Sequence, residues 1–199
     1  MAREVWNTAI LVFDGVEVLD FAGPFEVFST AGRLQARDGV PADDRLFPSL
    51  ISVSRTVSAR GGLLVSPRWL LRLAPRLDLL VIPGGLVDAE LGNNLALDWI
   101  RAHAAHSPIA SVCTGSFLLA EAGLLDGRRA TTHWAECDDL EARYPAVQVE
   151  RNVRFVDEGD VITAAGVAAG IDMSLHLIER FGGRALAEET ARLTEVTLA

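Results

Sequence analysis

The chain has 199 residues, half of them hydrophobic, which is enough for one sizeable buried core, and the expected organisation is a single domain over residues 1–199. A net charge of -9 with no block of like charges argues against a nucleic-acid partner, and no apolar stretch reaches the length that crosses a bilayer. Residues 1–10 lack the apolar centre of a secretion signal, and the two cysteines show neither metal-ligand nor disulfide-framework spacing, so the cytoplasm is the expected compartment.

Residues 7–13 form a compact apolar run closed by Asp14-Gly15 and predict a buried strand followed by a turn. After residues 16–19 comes Asp20, and Gly23-Pro24 is expected to open a helix to about Gly32, with the proline in the first turn, where a missing N–H is harmless. The polar stretch 33–45 reads as an exposed loop, and 46–54 as a second strand. Residues 57–59 and 63–65 flank Arg60-Gly61-Gly62 and suggest an antiparallel hairpin at an edge. Residues 78–82 are unbroken apolar sequence after Asp78, the mark of a parallel strand covered on both faces, and end on Pro83-Gly84-Gly85.

Residues 94–106 carry Leu97, Ile100 and Ala104 at helical spacing, with His103 and His106 expected on the solvated side. The next strand spans 109–112. A short strand at 129–132, a helix at 138–144 and one or two strands within 147–156 follow, and 161–163 is expected to close the sheet. Residues 168–181 form a helix whose apolar face holds Ile171, Leu175 and Ile178, and 184–193 form the last. This alternation predicts an α/β fold, a doubly wound, mostly parallel sheet with helices on both faces.

Cys113 falls on the turn between the strand 109–112 and a helix that opens at Thr114-Gly115-Ser116. Such a turn aims the sulfur out of the carboxyl end of a parallel sheet, with the first free N–H groups of the helix directed at it. Those donors favour thiolate over thiol; the alternative is a small buried apolar residue. Cys137 reads as structural or incidental. Asp20 can reach the same edge, either as an acid whose pKa an apolar wall raises or as a cap for Ala22 and Gly23. Gly84 and Gly85, with the N–H of Thr114, suit an oxyanion hole or simply a tight turn. The Thr114 hydroxyl either holds a water or substrate atom beside the sulfur or caps the helix through Ser116 and Phe117. Glu17 is the second candidate acid. Trp69, Trp99 and Trp134 read as core or interface aromatics, and Asp172 as a first-turn carboxylate. The glycines at 166 and 170 resemble an anion-touching loop, but no P-loop or dinucleotide fingerprint is present.

The run from Ser111-Val112-Cys113-Thr114-Gly115-Ser116 to Thr131-Thr132-His133-Trp134 resembles the nucleophile region of the ThiJ/PfpI superfamily, within the class I glutamine amidotransferase-like fold. Leu19-Asp20-Phe21-Ala22-Gly23-Pro24, Ile82-Pro83-Gly84-Gly85 and Ala165-Gly166-Val167-Ala168-Ala169-Gly170-Ile171-Asp172 match in the same order, so the resemblance covers nearly the whole chain. It implies a flavodoxin-like sheet with a nucleophile elbow at Cys113, an oxyanion role for Gly84-Gly85, and a place for His133 near the cysteine. There the imidazole would raise the thiolate fraction; a histidine capping a strand end and donating to a backbone carbonyl is the other reading. Protease-like members place a histidine directly after the cysteine, where this chain has Thr114, which counts against peptidase activity.

In the isonitrile hydratase branch, Asp20, Cys113 and Thr114 match residues assigned to the reaction. The resemblance therefore implies a cofactor-free, cysteine-dependent hydratase or hydrolase of a small electrophile, converting an isonitrile and water to an N-substituted formamide. It implies a small-molecule substrate and a homodimer. The same pattern forms the amino-terminal part of AraC-type regulators, which makes a ligand-sensing domain without turnover the alternative; with the chain ending at Ala199 and no basic patch, direct DNA binding is not expected. A glyoxalase III, deglycase, chaperone or amidase-type activity is a third reading, although those members usually carry glutamate in place of Asp20.

Overall fold

The computed structural model describes residues 7–166 and 168–198; Val167 lies outside the described residues. In chain order the strands are β1 (Asn7–Leu11), β2 (Phe47–Ser52), β3 (Val57–Ser58), β4 (Leu64–Val65), β5 (Trp69–Leu70), β6 (Leu79–Ile82), β7 (Ile109–Val112), β8 (Arg129–Ala130), β9 (Gln148–Val149), β10 (Phe155–Asp157) and β11 (Val161–Ala164). The α-helices are α1 (Val18–Arg37), α2 (Asp88–Leu91), α3 (Asn94–Ala104), α4 (Gly115–Glu121), α5 (Cys137–Arg143), α6 (Ala169–Gly182) and α7 (Arg184–Leu193).

Seven strands make the main sheet in the order β10-β11-β7-β6-β1-β2-β5, parallel throughout except for the antiparallel β10–β11 edge. Every residue of β6, β7 and β11 is buried, because helices cover both faces: α1, α6 and α7 pack together, as do α2, α3 and α4. The strand order reverses between β1 and β6, and β7 then follows beside β6, so their carboxyl ends are neighbours, with Ile82 in register with Ser111. Pro83-Gly84-Gly85 and Cys113 leave the sheet at that point.

Several expectations are corrected. Helix α1 begins at Val18 rather than at Gly23-Pro24 and continues to Arg37 through what was expected to be loop. Pro24 is therefore interior and cannot donate to the Asp20 carbonyl one turn back. Packing compensates for that loss. A Cβ on Gly23 would lie 3.0 Å from Ile171, and one on Gly170 would lie 3.0 Å from Val112 and 3.6 Å from Pro24, so small residues let α1 and α6 approach each other. The hairpin β3–β4 is a separate two-stranded sheet, and β5, absent from the sequence reading, forms the main sheet's edge. Strand β11 lies inside the sheet; β10 closes it. His103 is half-buried, stacked on Trp99 at 5.9 Å and hydrogen-bonded to the Pro108 carbonyl at 3.2 Å, rather than solvated. Trp134 is 80% exposed and so not a core residue. No helix among the described residues is long and apolar enough to cross a membrane.

Candidate active site

Cys113 occupies the one residue of turn between β7 and Thr114, which precedes α4, and its φ of 55° puts a side chain in the left-handed region. An L-residue held there costs about 1–3 kcal/mol, so the surrounding structure must impose it. Hydrogen bonds do so on both sides. The Cys113 N–H donates to the Ala164 carbonyl at 2.9 Å, and its carbonyl accepts from Thr132 Oγ1 at 3.0 Å and Ser116 Oγ at 3.1 Å. The backbone of Gly115 explains why no larger residue follows: a Cβ there would meet the Ile82 carbonyl oxygen at 2.1 Å. Thr132 is a positioning residue that the sequence reading passed over, although it stands in the Thr-Thr-His-Trp motif.

Asp20 lies in the first turn of α1 and is fully buried. It caps nothing: the residue before the helix is Glu17, and no side-chain cap forms. Instead Asp20 Oδ2 accepts the Gly84 N–H at 3.0 Å, while Oδ1 is buried without a formed hydrogen bond. Burial raises its pKa from 3.8 to about 6, the Gly84 bond opposes this, the charge of Glu17 adds to it, and the neighbouring Cys113 thiol pulls it slightly down. The thiol is perturbed in turn. Burial first, then the negative charge of Asp20, push Cys113 up to about 12, against the Thr114 N–H and hydroxyl, which lower it. This overturns the expectation of a resting thiolate: the donors of the helix start are outweighed by desolvation and a facing carboxylate.

The glycine loop is also arranged differently from the expected oxyanion hole. The Gly84 N–H is taken by Asp20, and the Gly85 N–H donates to Thr114 Oγ1 at 2.9 Å, which in turn donates to the Gly85 carbonyl at 3.1 Å. Of the three expected amides only that of Thr114 acts on the sulfur. The Thr114 hydroxyl thus clasps the glycine loop and does not cap α4. Its removal should be felt in stability: Thr114→Val leaves both polar groups of Gly85 unpaired and is expected to cost about 1–3 kcal/mol, read as a fall in the midpoint of urea unfolding. An unchanged midpoint would contradict the clasp.

His133 packs against the loop after β11, with its Cδ2 3.4 Å from where a Cβ on Gly166 would stand, and it does not figure among the groups that perturb Cys113 or Asp20. Its Nδ1 accepts from the Ala135 N–H at 3.3 Å, capping the short turn Trp134–Glu136, so of the two readings it is a cap, though as an acceptor and not as a donor to a carbonyl. With Nδ1 accepting, the neutral ring carries its proton on Nε2. Glu17 faces the site as a charge that raises both Asp20 and Cys113, and it pairs with Arg60 at 3.5 Å. Cys137 is buried at the start of α5, its thiol against the His133 carbonyl at 3.6 Å. Among the described residues no group of three His, Cys, Asp or Glu side chains could hold a metal ion.

The family profile described as DJ-1/PfpI matches residues 7–180. The chain belongs to the DJ-1/PfpI family. It is 35% identical to an isonitrile hydratase of Pseudomonas putida over 190 residues, covering 94% of this chain and 75% of that protein. It is 31% identical to the HTH-type transcriptional regulator CdhR of Pseudomonas aeruginosa over 96% of this chain, which spans about half, 54%, of the regulator. Among solved structures, a ThiJ/PfpI family protein from Pseudomonas syringae superposes with a TM-score of 0.81 at 30% identity, covering 98% of this chain and 76% of that one. The DJ-1/PfpI family thus includes both an enzyme and a regulator at comparable similarity to this chain. Membership fixes the fold and leaves the chemistry to the site.

Proposed function

We propose that this DJ-1/PfpI chain is a cofactor-free hydratase in which Cys113 and Asp20 add water to an isonitrile, giving an N-substituted formamide. The observation that carries the reading is a fully buried carboxyl, Asp20, anchored by the Gly84 N–H at 3.0 Å and facing the thiol of Cys113 on its left-handed strand-to-helix turn, where burial raises the pKa of both groups, Asp20 to about 6 and Cys113 to about 12. Between those values the two groups hold one proton between them, and the values belong to the pair. A reaction that needs a sulfur nucleophile and then an acid can use that single proton for both.

The steps balance on these two residues. As Sγ bonds to the terminal carbon of R–NC, the thiol proton passes to Asp20 and on to that same carbon, so S–C and C–H bonds form together and C≡N becomes C=N. The product is a thioimidate on Cys113. Water then adds across C=N, its hydroxyl to carbon and one proton to nitrogen. Collapse breaks the S–C bond, the hydroxyl proton returns to sulfur through Asp20, and R–NH–CHO leaves. No electrons are gained or lost, so no redox partner is required. The 35% identity to an isonitrile hydratase over 94% of the chain supports the choice of substrate class.

A second reading, a ligand-sensing domain without turnover, is favoured by two facts: the likeness to a regulator over nearly the whole chain, and a thiol that rests protonated. A panel of isonitriles, methylglyoxal and small amides followed by mass spectrometry separates the readings. The hydratase yields formamide from isonitriles. A sensor raises the melting temperature with a ligand and yields no product, and a product from methylglyoxal or amides alone would replace the isonitrile reading.

A further inference from the structure

The peptide unit between Cys113 and Thr114 is gripped at its oxygen and bears on the sulfur at its nitrogen. The oxygen, which is the Cys113 carbonyl, accepts from Thr132 Oγ1 at 3.0 Å, from Ser116 Oγ at 3.1 Å and from the Ser116 N–H at 3.3 Å. The N–H of the same unit is that of Thr114, which acts on the Cys113 sulfur. A trans peptide is planar with its C=O and N–H directed oppositely, so whatever fixes the oxygen also fixes the line of the N–H. A Cβ on Gly84 would lie 2.7 Å from the Thr114 nitrogen and 2.9 Å from Asp20 Oδ2, which places this amide and the carboxyl around one point.

Three donors on an oxygen with two lone pairs exceed what satisfying it requires. The two hydroxyls belong to buried residues and come from separate segments. Ser116 lies in the first turn of α4. Thr132 follows β8, and the N–H of its neighbour Thr131 donates to Thr163 Oγ1 at 2.8 Å; Thr163 stands in β11, in register with Ser111 of β7. The strand beside the elbow thus fixes where the Thr132 hydroxyl stands. The sulfur has little else to favour its charged form: burial and the charges of Asp20 and Glu17 oppose it, and the donors acting on it, an N–H and a hydroxyl, both belong to Thr114. That hydroxyl also donates to the Gly85 carbonyl at 3.1 Å, so the N–H is the donor whose aim matters most. Hydrogen bonds gathered on a carbonyl polarise its peptide and strengthen what the N–H gives.

We propose that Thr132 and Ser116 are positioning residues that aim and polarise the Thr114 N–H at the Cys113 sulfur, stabilising negative charge there as the S–C bond to substrate forms and again as it breaks. The inference rests on Cys113 being the nucleophile of the proposed hydratase, and it adds two residues that act on the sulfur only through a shared peptide. Their part in holding the left-handed turn is separate from this one: bracing the backbone governs stability, whereas aiming the amide governs how readily the sulfur bears charge.

The test is the rate at which iodoacetamide modifies Cys113 at about pH 9 in a Cys137→Ser background, an S–C bond forming as iodide leaves, since that rate follows the thiolate fraction. Thr132→Val and Ser116→Ala are each expected to slow it about fivefold, and Thr132→Ser, which keeps the hydroxyl, to stay within about twofold of the parent. Each of the first two leaves the Cys113 carbonyl one hydroxyl and the Ser116 N–H, so the fold is kept, which circular dichroism and a melting curve verify; should one variant fail to fold, the other decides. Hydroxyls that only braced the turn would, once removed, loosen the elbow and admit the reagent faster. Alkylation at or above the parent rate in Thr132→Val and Ser116→Ala therefore overturns the proposal, as does a serine at 132 that fails to restore it. With an isonitrile as substrate the two variants are expected to lower kcat by a like factor and leave KM unchanged, and a rise in KM alone would overturn it. Should the wild type turn over no isonitrile at all, the hydratase reading falls by itself, and the alkylation series still decides the aim of the amide.

Discussion

Replacing Cys113 by alanine is expected to lower isonitrile hydration by a factor on the order of 10⁴ or more while leaving the fold in place. The loss is large because in the proposed route the sulfur forms the bond that activates the substrate. The fold survives because alanine takes the same left-handed backbone as cysteine, with φ at 55°, and the flanking hydrogen bonds from Thr132 and Ser116 use the backbone carbonyl, which the substitution keeps. Formamide release measured by chromatography, beside a melting curve, checks both halves. Turnover in the alanine variant within tenfold of wild type would remove the covalent route.

Asp20→Asn is expected to separate activity from stability. An asparagine oxygen can still accept the Gly84 N–H, so the loop stays anchored, but the side chain can no longer take and return a proton, and kcat should fall by roughly 10²–10⁴. Stability should move the other way. Asp20 binds its proton more tightly folded than unfolded, so its favourable contribution is complete below about 3.8 and is lost as pH rises through about 6. The difference between 3.8 and about 6 corresponds to about 3 kcal/mol against the folded state at pH 7, which the amide removes. Urea unfolding should show the variant more stable than wild type at pH 7, with the gain gone near pH 3.5. A variant less stable than wild type at pH 7 would show that the carboxylate is better solvated than its burial implies. The same substitution takes away the charge that raises the Cys113 thiol, so in a Cys137→Ser background iodoacetamide should modify Cys113 faster even as turnover collapses.

How far the sequence leads depends on the distance over which each feature is determined. The elbow at Cys113 was legible because a short apolar strand, a cysteine and a Thr-Gly-Ser helix start are contiguous, and β7 falls on the predicted residues. The start of α1 was not, because Gly23-Pro24 has the local chemistry of a helix opening and only the fit of those residues against Gly170 and Ile171 of α6 shows why they stand inside a helix. The glycine loop was located correctly but its amides were misassigned: their acceptors, Asp20 and Thr114, are 64 and 29 residues away. The ionisation of the thiol failed for the same reason. The helix start is local and visible, whereas the burial and the facing carboxylate that outweigh it come from folding β6, β7 and α1 to one place.

The claim that everything else depends on is that Asp20 and Cys113 share one proton. The pH profile of kcat/KM for benzyl isonitrile, measured from pH 4.5 to 9.5 in wild type and Asp20→Asn, tests it most directly. The account predicts a wild-type rate that rises through about pH 6 to a plateau extending past pH 9, and residual activity in the variant with no rise near pH 6. A wild-type profile that instead rises through pH 8 to 9, as for an ordinary independent thiol, and keeps that shape in Asp20→Asn would contradict it.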